Sequence, residues 1–369
     1  MFSEQDFAYM RRALALAERA MFTTTPNPRV GCVIVQDGRI IGEGFTQPAG
    51  QDHAEVQAMK DARVRGESVR GATAYVTLEP CSHYGRTPPC AKGLIEAGVK
   101  RVIAAMEDPN PLVAGRGLGM LRDAGIEVRC GLLENEAREM NIGFIARMTR
   151  GTPWVRMKVA ASLDGKTALN NGVSQWLTGP AARADGHAWR ARACAILTGI
   201  GTVREDDPSL TVREVPTTRQ PLRIVVDSRL DISPGAKVLA HGNALVVCAN
   251  GDPDRVSRLR DLGVQVLDLP NASGKVELPA LLRALGERQF NEIHVEAGFK
   301  LNGSLLRESC VDELLTYFAP SIVGEAQGMF HLPALTSLDD KLALKFTDVR
   351  MIEDDLRVMA RVVARAKGD

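Results

Sequence analysis

A histidine and two cysteines, His53, Cys81 and Cys90, have the types and settings of ligands to a catalytic zinc ion. Such an ion is held by three protein side chains, with nitrogen and thiolate donors favoured, and it keeps a fourth position open for water. Glu55, two residues after His53 in "HAEVQA", is suited to carry protons beside the metal. Because zinc lowers the pKa of bound water to about 7, this set predicts hydrolysis at neutral pH.

The spacing of the two cysteines differs from the common motif of zinc-dependent nucleobase deaminases, in which two residues separate them. Here eight residues, "SHYGRTPP", separate Cys81 from Cys90. Pro89 is predicted as the first residue of a helix, so Cys90 lies in its first turn, where unpaired backbone N–H groups stabilise a thiolate. His83, inside this segment, is a candidate for a competing ligand or a substrate contact, and equally for a solvated loop residue.

The elements around these residues predict a layered α/β domain over residues 1–149. Ser3 and Asp6 form a predicted capping box for a helix over residues 4–20. The strands "RVGCVIV" and "RIIGEGF" meet at Asp37-Gly38, a hairpin turn signal. Helices and strands then alternate through "HAEVQAMKDAR", "GATAYVTLEP", "CAKGLIEAG", "KRVIAAM", "GLGMLRDAG" and "IEVRCGLL", and residues 134–148 are predicted to close the domain as one helix.

A second α/β domain is predicted over residues 150–369. Its strands are "WVRMKVAAS", "AILTGI", "LRIVVDS", "NALVVCAN", "VQVLDL", "NEIHVEAG" and "LLTYFAP". Helices are predicted at about 180–193, 278–288 and 301–309, and "KFTDVRMIEDDLRVMARVV" is predicted to be a closing hairpin. The two halves share no internal repeat, which indicates two different domains.

The charge and composition limit the partners. Lys and Arg number 46 against 45 Asp and Glu in 369 residues, so no global positive field attracts nucleic acid or an anionic membrane. An anionic ligand must be held locally. The N-terminus has no signal-peptide pattern, no apolar run reaches membrane-spanning length, and the seven cysteines do not form a secreted disulfide framework. A cytoplasmic location is therefore expected.

Long motifs in both halves resemble the bifunctional deaminase-reductases of riboflavin biosynthesis. In the first half these are "TPNPRVGCVIV", "HAEVQA", "TLEPCSHYGRTPPC" and "DPNPLVAGRG"; in that family eight residues between the cysteines are the usual form. In the second half they are "ASLDGKTA", "SQWLTG", "ILTGIGTVREDDPSLTVR" and "VEAGFKLNGSLL". The resemblance implies a cytidine-deaminase-like three-layer domain followed by a dihydrofolate-reductase-like domain.

The resemblance also implies two consecutive reactions on a phosphorylated pyrimidine. A diaminopyrimidinone ribosylamine phosphate first loses a ring amino group to water, with Zn²⁺ bound. NADPH then reduces the ribosyl group of the product to ribityl. A homodimer or larger homo-oligomer is expected as the common state of such enzymes.

Individual roles follow from the same resemblance. His53, Cys81 and Cys90 bind zinc and Glu55 donates protons. Asn27 lines the deaminase pocket, with an ordinary Asn-Pro turn as the alternative. Substrate contacts in the reductase are expected at Ser174, Arg190, Leu210, Arg213 and Glu296. NADPH contacts are expected at Ala160, Trp176, Thr202, Asp206, Ser228, Gly298, Phe299, Lys300, Leu301, Asn302, Gly303 and Ser304.

The residues of the second half are less specific when taken without the family. Arg190 and Arg213 offer forked donors for a phosphate, but an arginine at position 190 is also typical of a solvated helix face. Trp176 fits a core position equally well. Lys158 and Asp164 are further pocket candidates without an assigned role. No Gly-x-Gly-x-x-Gly follows a strand, so a Rossmann fingerprint is not the basis for NADPH.

Two alternatives stay open from the residues alone. One is a deaminase of another base or of tRNA with a non-catalytic C-terminal binding module, although near-zero net charge disfavours tRNA. The other is a non-enzymatic protein stabilised by a structural zinc, which normally has four protein ligands.

Overall fold

The computed structural model describes residues 1–82, 89–111 and 113–363. The chain divides into two compact units, Met1–Gly151 and Thr152–Asp369. The division falls within two residues of the predicted boundary at residue 149.

The first unit is an α/β domain around one five-stranded sheet. Its sheet order is β2-β1-β3-β4-β5; β1 is antiparallel to β2 and β3, and β3, β4 and β5 are parallel. The elements are α1 Glu4–Glu18, β1 Gly31–Gln36, β2 Arg39–Phe45, α2 Ala54–Val64, β3 Thr73–Val76, α3 Cys90–Glu96, β4 Arg101–Ala104, α4 Arg116–Asp123, β5 Glu127–Cys130, α5 Glu134–Met140 and α6 Ile142–Arg150.

Glycines in β1 and β2 bring helices close to both faces of this sheet. A Cβ at Gly31 would lie 1.9 Å from the carbonyl oxygen of Ala13 in α1. On β2, a Cβ at Gly42 would lie 2.3 Å from the carbonyl oxygen of Ala58 in α2, and one at Gly44 would be equally crowded by the same helix. Gly44 pairs with Cys32, the residue after Gly31, and side chains alternate between the two faces along a strand. Helices α1 and α2 therefore cover opposite faces of the sheet. The predicted three-layer arrangement is confirmed.

Most predicted elements of the first unit are present. Ser3 and Asp6 form the capping box, and the hairpin turns at Asp37 and Gly38, both with positive φ. The single helix predicted over residues 134–148 is wrong, because the chain leaves helical geometry at Asn141. The amide of Asn141 accepts a hydrogen bond from the backbone N–H of Arg29 at 2.8 Å and donates one to its carbonyl at 2.9 Å.

The second unit is built on a nine-stranded sheet of order β11-β10-β9-β8-β12-β6-β13-β16-β15. The strands from β11 to β13 are parallel, and β16 and β15 complete the sheet as an antiparallel hairpin. The elements are β6 Trp154–Ser162, β7 Lys166–Ala168, α7 Pro180–Arg192, β8 Ala195–Gly199, α8 Ile200–Asp206, β9 Leu222–Val226, β10 Ala244–Cys248, α9 Pro253–Asp261, β11 Gln265–Asp268, α10 Leu278–Glu287, β12 Glu292–Val295, α11 Phe299–Arg307, β13 Glu313–Ala319, β14 Gln327–Gly328, β15 Leu344–Ile352 and β16 Asp355–Val362.

Every strand predicted for this unit and the closing hairpin are present. Two helices were not predicted, α8 and α9. Helix α9 has the sequence "PDRVSRLRD" and buries only Leu259 among its residues, so no apolar periodicity marks it. Helix α11 begins at Phe299, two residues before the predicted start, because Gly298 takes the extended N-cap conformation.

Within the part of the chain that the structure describes, no helix is long and apolar enough to cross a membrane.

Candidate active sites

The predicted zinc ligands converge in the first unit. The ligand atoms of His53, Cys81 and Cys90 all lie within 4.8 Å of one another. Nδ1 of His53 is 3.3 Å from Sγ of Cys90 and 3.6 Å from Sγ of Cys81. One imidazole nitrogen and two thiol sulfurs are the donor set of a catalytic zinc that keeps its fourth position for water. The residues therefore fit the ion.

Three separate elements deliver these side chains. His53 is the N-cap of α2, Cys81 follows β3 through a short segment, and Cys90 is the first residue of α3. Pro89 is the N-cap of α3 and not its first helical residue, a one-residue correction to the prediction. The backbone N–H of Cys90 donates to Sγ of Cys81 at 3.2 Å. The hydrogen bond with the Cys90 thiol, followed by His53 and by this backbone bond, lowers the pKa of the Cys81 thiol, which favours the thiolate that metal binding requires.

Glu55 lies in the first turn of α2, beside the three ligands. Its carboxyl group is buried, with only 3% of the residue exposed. Burial, followed by the neighbouring Cys81, raises the pKa of Glu55 to about 7. Close packing of α2 on Gly42 and Gly44 of β2 fixes the height of this helix above the sheet. A carboxyl group held in this way can both take and return a proton near neutral pH.

Glu79, which the sequence analysis did not single out, organises the backbone next to Cys81. Its carboxylate accepts hydrogen bonds from the backbone N–H groups of Asp108, Gly115, Gly117 and Leu118, at 2.8 to 3.2 Å. The residue is 3% exposed. The sequence signal for Glu79 was an ionisable side chain near the end of a buried strand. Such a side chain is rarely buried unless hydrogen-bonding or charged partners surround it.

Two predictions for this unit stay untested. The backbone N–H of Asn27 donates to the carbonyl of Thr24 at 2.9 Å, so Asn27 lies in a turn, and its place in the deaminase pocket remains a prediction. His83 lies outside the described residues. Among the described residues, His53, Cys81 and Cys90 form the only cluster of three potential metal ligands.

The second unit contains a cavity of about 700 Å³. Twelve of the residues predicted to contact substrate or NADPH line it: Ala160, Ser174, Trp176, Arg190, Thr202, Asp206, Leu210, Arg213, Glu296, Gly298, Phe299 and Asn302. They come from β6, α7, α8, α11 and the loops between them. The sheet and its crossover helices thus bring together side chains that are distant in sequence.

A forked ion pair between Arg190 and Glu296 lines this cavity. Arg190 donates from Nε to Oε1 of Glu296 and from Nη2 to Oε2 at 2.8 Å, and its Nη1 donates to the carbonyl of Thr211 at 3.1 Å. Burial alone would raise the pKa of Glu296, but the Arg190 guanidinium holds it well below the usual range. Arg190 is therefore not on a solvated helix face. Its donors are engaged within the protein, whereas Arg213 is exposed.

A buried ionic layer lies beside this pair on the same face of the sheet. Arg156 of β6 donates to Glu313 at 2.7 Å and to Glu292 at 3.0 Å, and Arg192 of α7 also donates to Glu292 at 2.7 Å. The Arg156 guanidinium lies 4.4 Å from the ring centroid of Trp189. These contacts anchor α7 one residue from Arg190, so they fix the position from which Arg190 enters the cavity.

Lys158 also lines the cavity, and sequence reasoning left its role open. Burial lowers the pKa of its ammonium group, whereas Glu296 opposes that shift. Asp164 is different. It accepts hydrogen bonds from Ser162 Oγ and from the backbone N–H groups of Val323 and Gly324, so its carboxylate holds a loop.

Further cavity residues lie in two loops, one around residues 174–176 and one around residues 206–210. Oδ1 of Asp206 accepts hydrogen bonds from Ser174 Oγ at 3.2 Å and from the Gln175 side chain at 3.4 Å. Trp176 is 70% exposed and stacks on the guanidinium of Arg183, so it is not a core residue. Leu210 has a φ of 47°, a strained conformation of the kind found at functional sites.

The predicted cradle for the cofactor is only partly in the cavity. Gly298 is the N-cap of α11, so the first backbone N–H groups of that helix have no partner within it and suit a phosphate. Gly303 packs instead against the chain, since a Cβ there would lie 2.1 Å from the carbonyl of His331. Ser228, Lys300, Leu301, Gly303 and Ser304 do not line the cavity. The helix terminus and the cavity volume fit a dinucleotide.

Comparison with known proteins agrees with both halves. Residues 3–106 match the cytidine and deoxycytidylate deaminase zinc-binding region, and residues 153–358 match the RibD C-terminal domain. The riboflavin biosynthesis protein RibD of Haemophilus influenzae is 48% identical over 97% of each chain. That of Escherichia coli K12 is 48% identical over 95% of this chain and 98% of its own length.

Solved structures show the same architecture. Acinetobacter baumannii RibD is 43% identical and superposes with a TM-score of 0.90, covering 98% of this chain and 99% of its own. A Thermotoga maritima diaminohydroxyphosphoribosylaminopyrimidine deaminase/5-amino-6-(5-phosphoribosylamino)uracil reductase is 35% identical with a TM-score of 0.86, covering 97% and 99%.

These matches span both halves, so the alternatives of a non-catalytic C-terminal module and of a purely structural zinc protein do not hold. The chain belongs to the RibD family, and it is a bifunctional enzyme of riboflavin biosynthesis with a zinc-dependent deaminase and an NADPH-dependent reductase.

Proposed function

We propose that residues 1–149 deaminate 2,5-diamino-6-ribosylamino-4(3H)-pyrimidinone 5′-phosphate and that residues 150–369 reduce the product, 5-amino-6-(5-phosphoribosylamino)uracil. The activities named for the Thermotoga maritima relative support this pair of substrates. The observation that carries the first half is the convergence of His53, Cys81 and Cys90 within 4.8 Å, next to the buried Glu55.

In the deaminase, His53, Cys81 and Cys90 would hold the zinc ion. Zinc supplies a bound water with a pKa near 7, which is a nucleophile at neutral pH. Glu55 would accept one proton from the attacking water and pass it to the ring nitrogen of the substrate. It would then take the second proton of the added water and pass it to the departing amino group, so that water enters, ammonia leaves and a carbonyl remains on the ring. Asn27 contacts the substrate in the same pocket.

In the reductase, NADPH would supply a hydride to the first carbon of the sugar in its open-chain Schiff-base form, while the Schiff-base nitrogen takes a proton from water. Arg190 and Glu296 contact this sugar from the cavity wall, together with Ser174 and Leu210. Arg213 binds the phosphate, because its exposed guanidinium is the better placed of the two predicted arginines. The N-terminus of α11 and the cavity side chains predicted for NADPH would hold the cofactor.

One labelling experiment tests the reductase proposal. The protein is incubated with the deaminated pyrimidine and NADPH that carries deuterium at the transferred position. Deuterium is expected at the first carbon of the ribityl chain. Label at any other carbon, or oxidation of NADPH without labelled product, would contradict the proposed hydride transfer.

We further propose that the protein is a cytoplasmic homo-oligomer. Strand β15 is at the edge of the nine-stranded sheet and exposes Phe346, Val349 and Met351, which supports association through a like surface. Analytical ultracentrifugation tests the oligomeric state. A single sedimenting species with the mass of one chain, across micromolar concentrations, would contradict it.

A further inference from the structure

His294 is a fully buried histidine that the reactions described above do not use. It lies on β12, with 1% of the residue exposed. Neither of its ring nitrogens has a hydrogen-bond partner among the described residues. Buried polar groups are nearly always hydrogen-bonded, because an unpaired one lowers stability. An unpaired imidazole in this place therefore requires an explanation.

The surroundings of His294 connect it to the reductase cavity. Its Nε2 lies 3.4 Å from Oε1 of Glu296, two residues along the chain, close enough for an electrostatic contact but not aligned for a well-formed hydrogen bond. The charged groups that face it are Arg156, opposite it in the β6 ladder, Arg190 from α7 and Glu296 itself. On its other side, β8 presents Ile196. Burial lowers the pKa of His294, so the ring is neutral and has one N–H to donate.

The ion pair between Arg190 and Glu296 indicates when the N–H group of His294 would gain a partner. Arg190 now donates to both carboxylate oxygens of Glu296. If Arg190 turns its donors to the sugar, as the proposed function on which this inference rests allows, it releases at least one of these oxygens. His294 Nε2 is then a neutral donor that reaches Oε1 after a shift of a few tenths of an ångström from 3.4 Å.

We propose that His294 is a positioning residue of the reductase: its Nε2–H binds Oε1 of Glu296 when Arg190 turns to the substrate, and so holds the carboxylate in place during turnover. In the substrate-free protein the ring nitrogens of His294 have no well-formed hydrogen bond, so the Nε2–H group is available for this contact. A neutral donor suits the role, because it orients the carboxylate without neutralising it.

The test compares His294→Leu, an apolar residue of similar volume, with His294→Gln, which keeps an N–H donor. Steady-state NADPH oxidation with the deaminated pyrimidine gives kcat and KM, and thermal unfolding gives Tm. Deamination serves as an internal control. His294→Leu is expected to lower the reductase kcat about 5-fold, as for the loss of one hydrogen bond, with KM for NADPH unchanged. His294→Gln is expected to retain more of the kcat than His294→Leu does.

Stability separates this role from a merely structural one. Because His294→Leu removes an unpaired buried polar group, its Tm is expected to equal or exceed that of the unaltered protein while kcat falls. A variant with unchanged kcat would overturn the proposal. So would a His294→Leu protein that loses Tm or fails to fold, or equal losses of kcat in both variants. If the unaltered protein oxidises no NADPH with this pyrimidine, the proposed reductase function fails first, and the role of His294 with it.

Discussion

The two sites hold their chemistry in different ways. In the first unit, His53, Cys81 and Cys90 meet at the ends of three elements and remain available to a metal ion. In the second unit, Arg190 and Glu296 already satisfy each other in the cavity. The donor set of the first site is open for a metal ion to complete, whereas the charges of the second site already balance each other within the protein.

This difference predicts different sensitivities. A site made of metal ligands and one proton carrier should lose its activity when a single atom is changed, with little effect on the fold. A site made of a buried ion pair couples activity to stability, because a change in one partner leaves the other charge buried and unpaired. Substitutions in the two units can therefore separate the two kinds of site.

The largest difference between the effects on the two activities is expected for Glu55→Gln. The amide cannot carry a proton, so deamination should fall by about 10³-fold while zinc stays bound. Metal analysis and the two separate activity assays check this, with reduction of the deaminated pyrimidine expected to be unchanged. Glu96→Gln, at an exposed position on α3, is the matched control. Deamination retained in Glu55→Gln would remove Glu55 from its proposed role.

Arg190→Lys should have the next largest effect, on the reductase alone. Lysine cannot form the fork with Glu296, so kcat/KM for reduction should fall by about 100-fold and the Tm of the second unit should drop. Arg192→Lys on the same helix is the control, because Arg192 pairs with Glu292 outside the cavity. Equal losses of reductase activity in the two variants would show that any disturbance of α7 has this effect. The fork between Arg190 and Glu296 would then have no specific role in the reaction.

A smaller effect is expected for Arg213→Ala. Removal of one exposed charged donor should raise KM for the deaminated pyrimidine about 10-fold with little change in kcat. The same reaction with the dephosphorylated pyrimidine riboside provides the control, and there the variant should match the unaltered protein. A KM increase that is as large without the phosphate would assign Arg213 to another part of the substrate.

The smallest effect concerns acid stability. Burial, together with Arg190 and Arg213, lowers the pKa of His187 to about 4, and its Nδ1 accepts the backbone N–H of Arg213. The unfolded chain, with a pKa near 6.5, binds this proton first, so the second unit should lose stability as pH falls from about 6.5 to 4. Tryptophan fluorescence reports on this unit alone, because Trp154, Trp176 and Trp189 all lie in it.

His187→Asn is the control for this pH dependence. Asparagine keeps an acceptor near the position of Nδ1 but does not titrate, so its urea midpoint should depend less on pH over this range. Identical pH dependence in both proteins would assign the acid sensitivity to other groups.

The zinc cluster was predictable because ligand types and local spacing are visible in sequence. The Arg190–Glu296 pair was not, since the partners are 106 positions apart in the sequence and the packing of α7 against β12 brings them together. Helix α9 lacked apolar periodicity, and the break at Asn141 depends on a partner 112 residues away. Local patterns predicted most elements, while long-range partners determined the exceptions and most of the second site.

The most direct test of two separate reactions in one chain is mass spectrometry of the diaminopyrimidinone ribosylamine phosphate after incubation with the zinc-loaded protein, first without and then with NADPH. We expect exchange of one amino group for oxygen in the first case and the further gain of two hydrogens in the second. Deamination without reduction would contradict the proposed role of the second unit. An unchanged substrate in both cases would contradict the proposed substrate and reaction order.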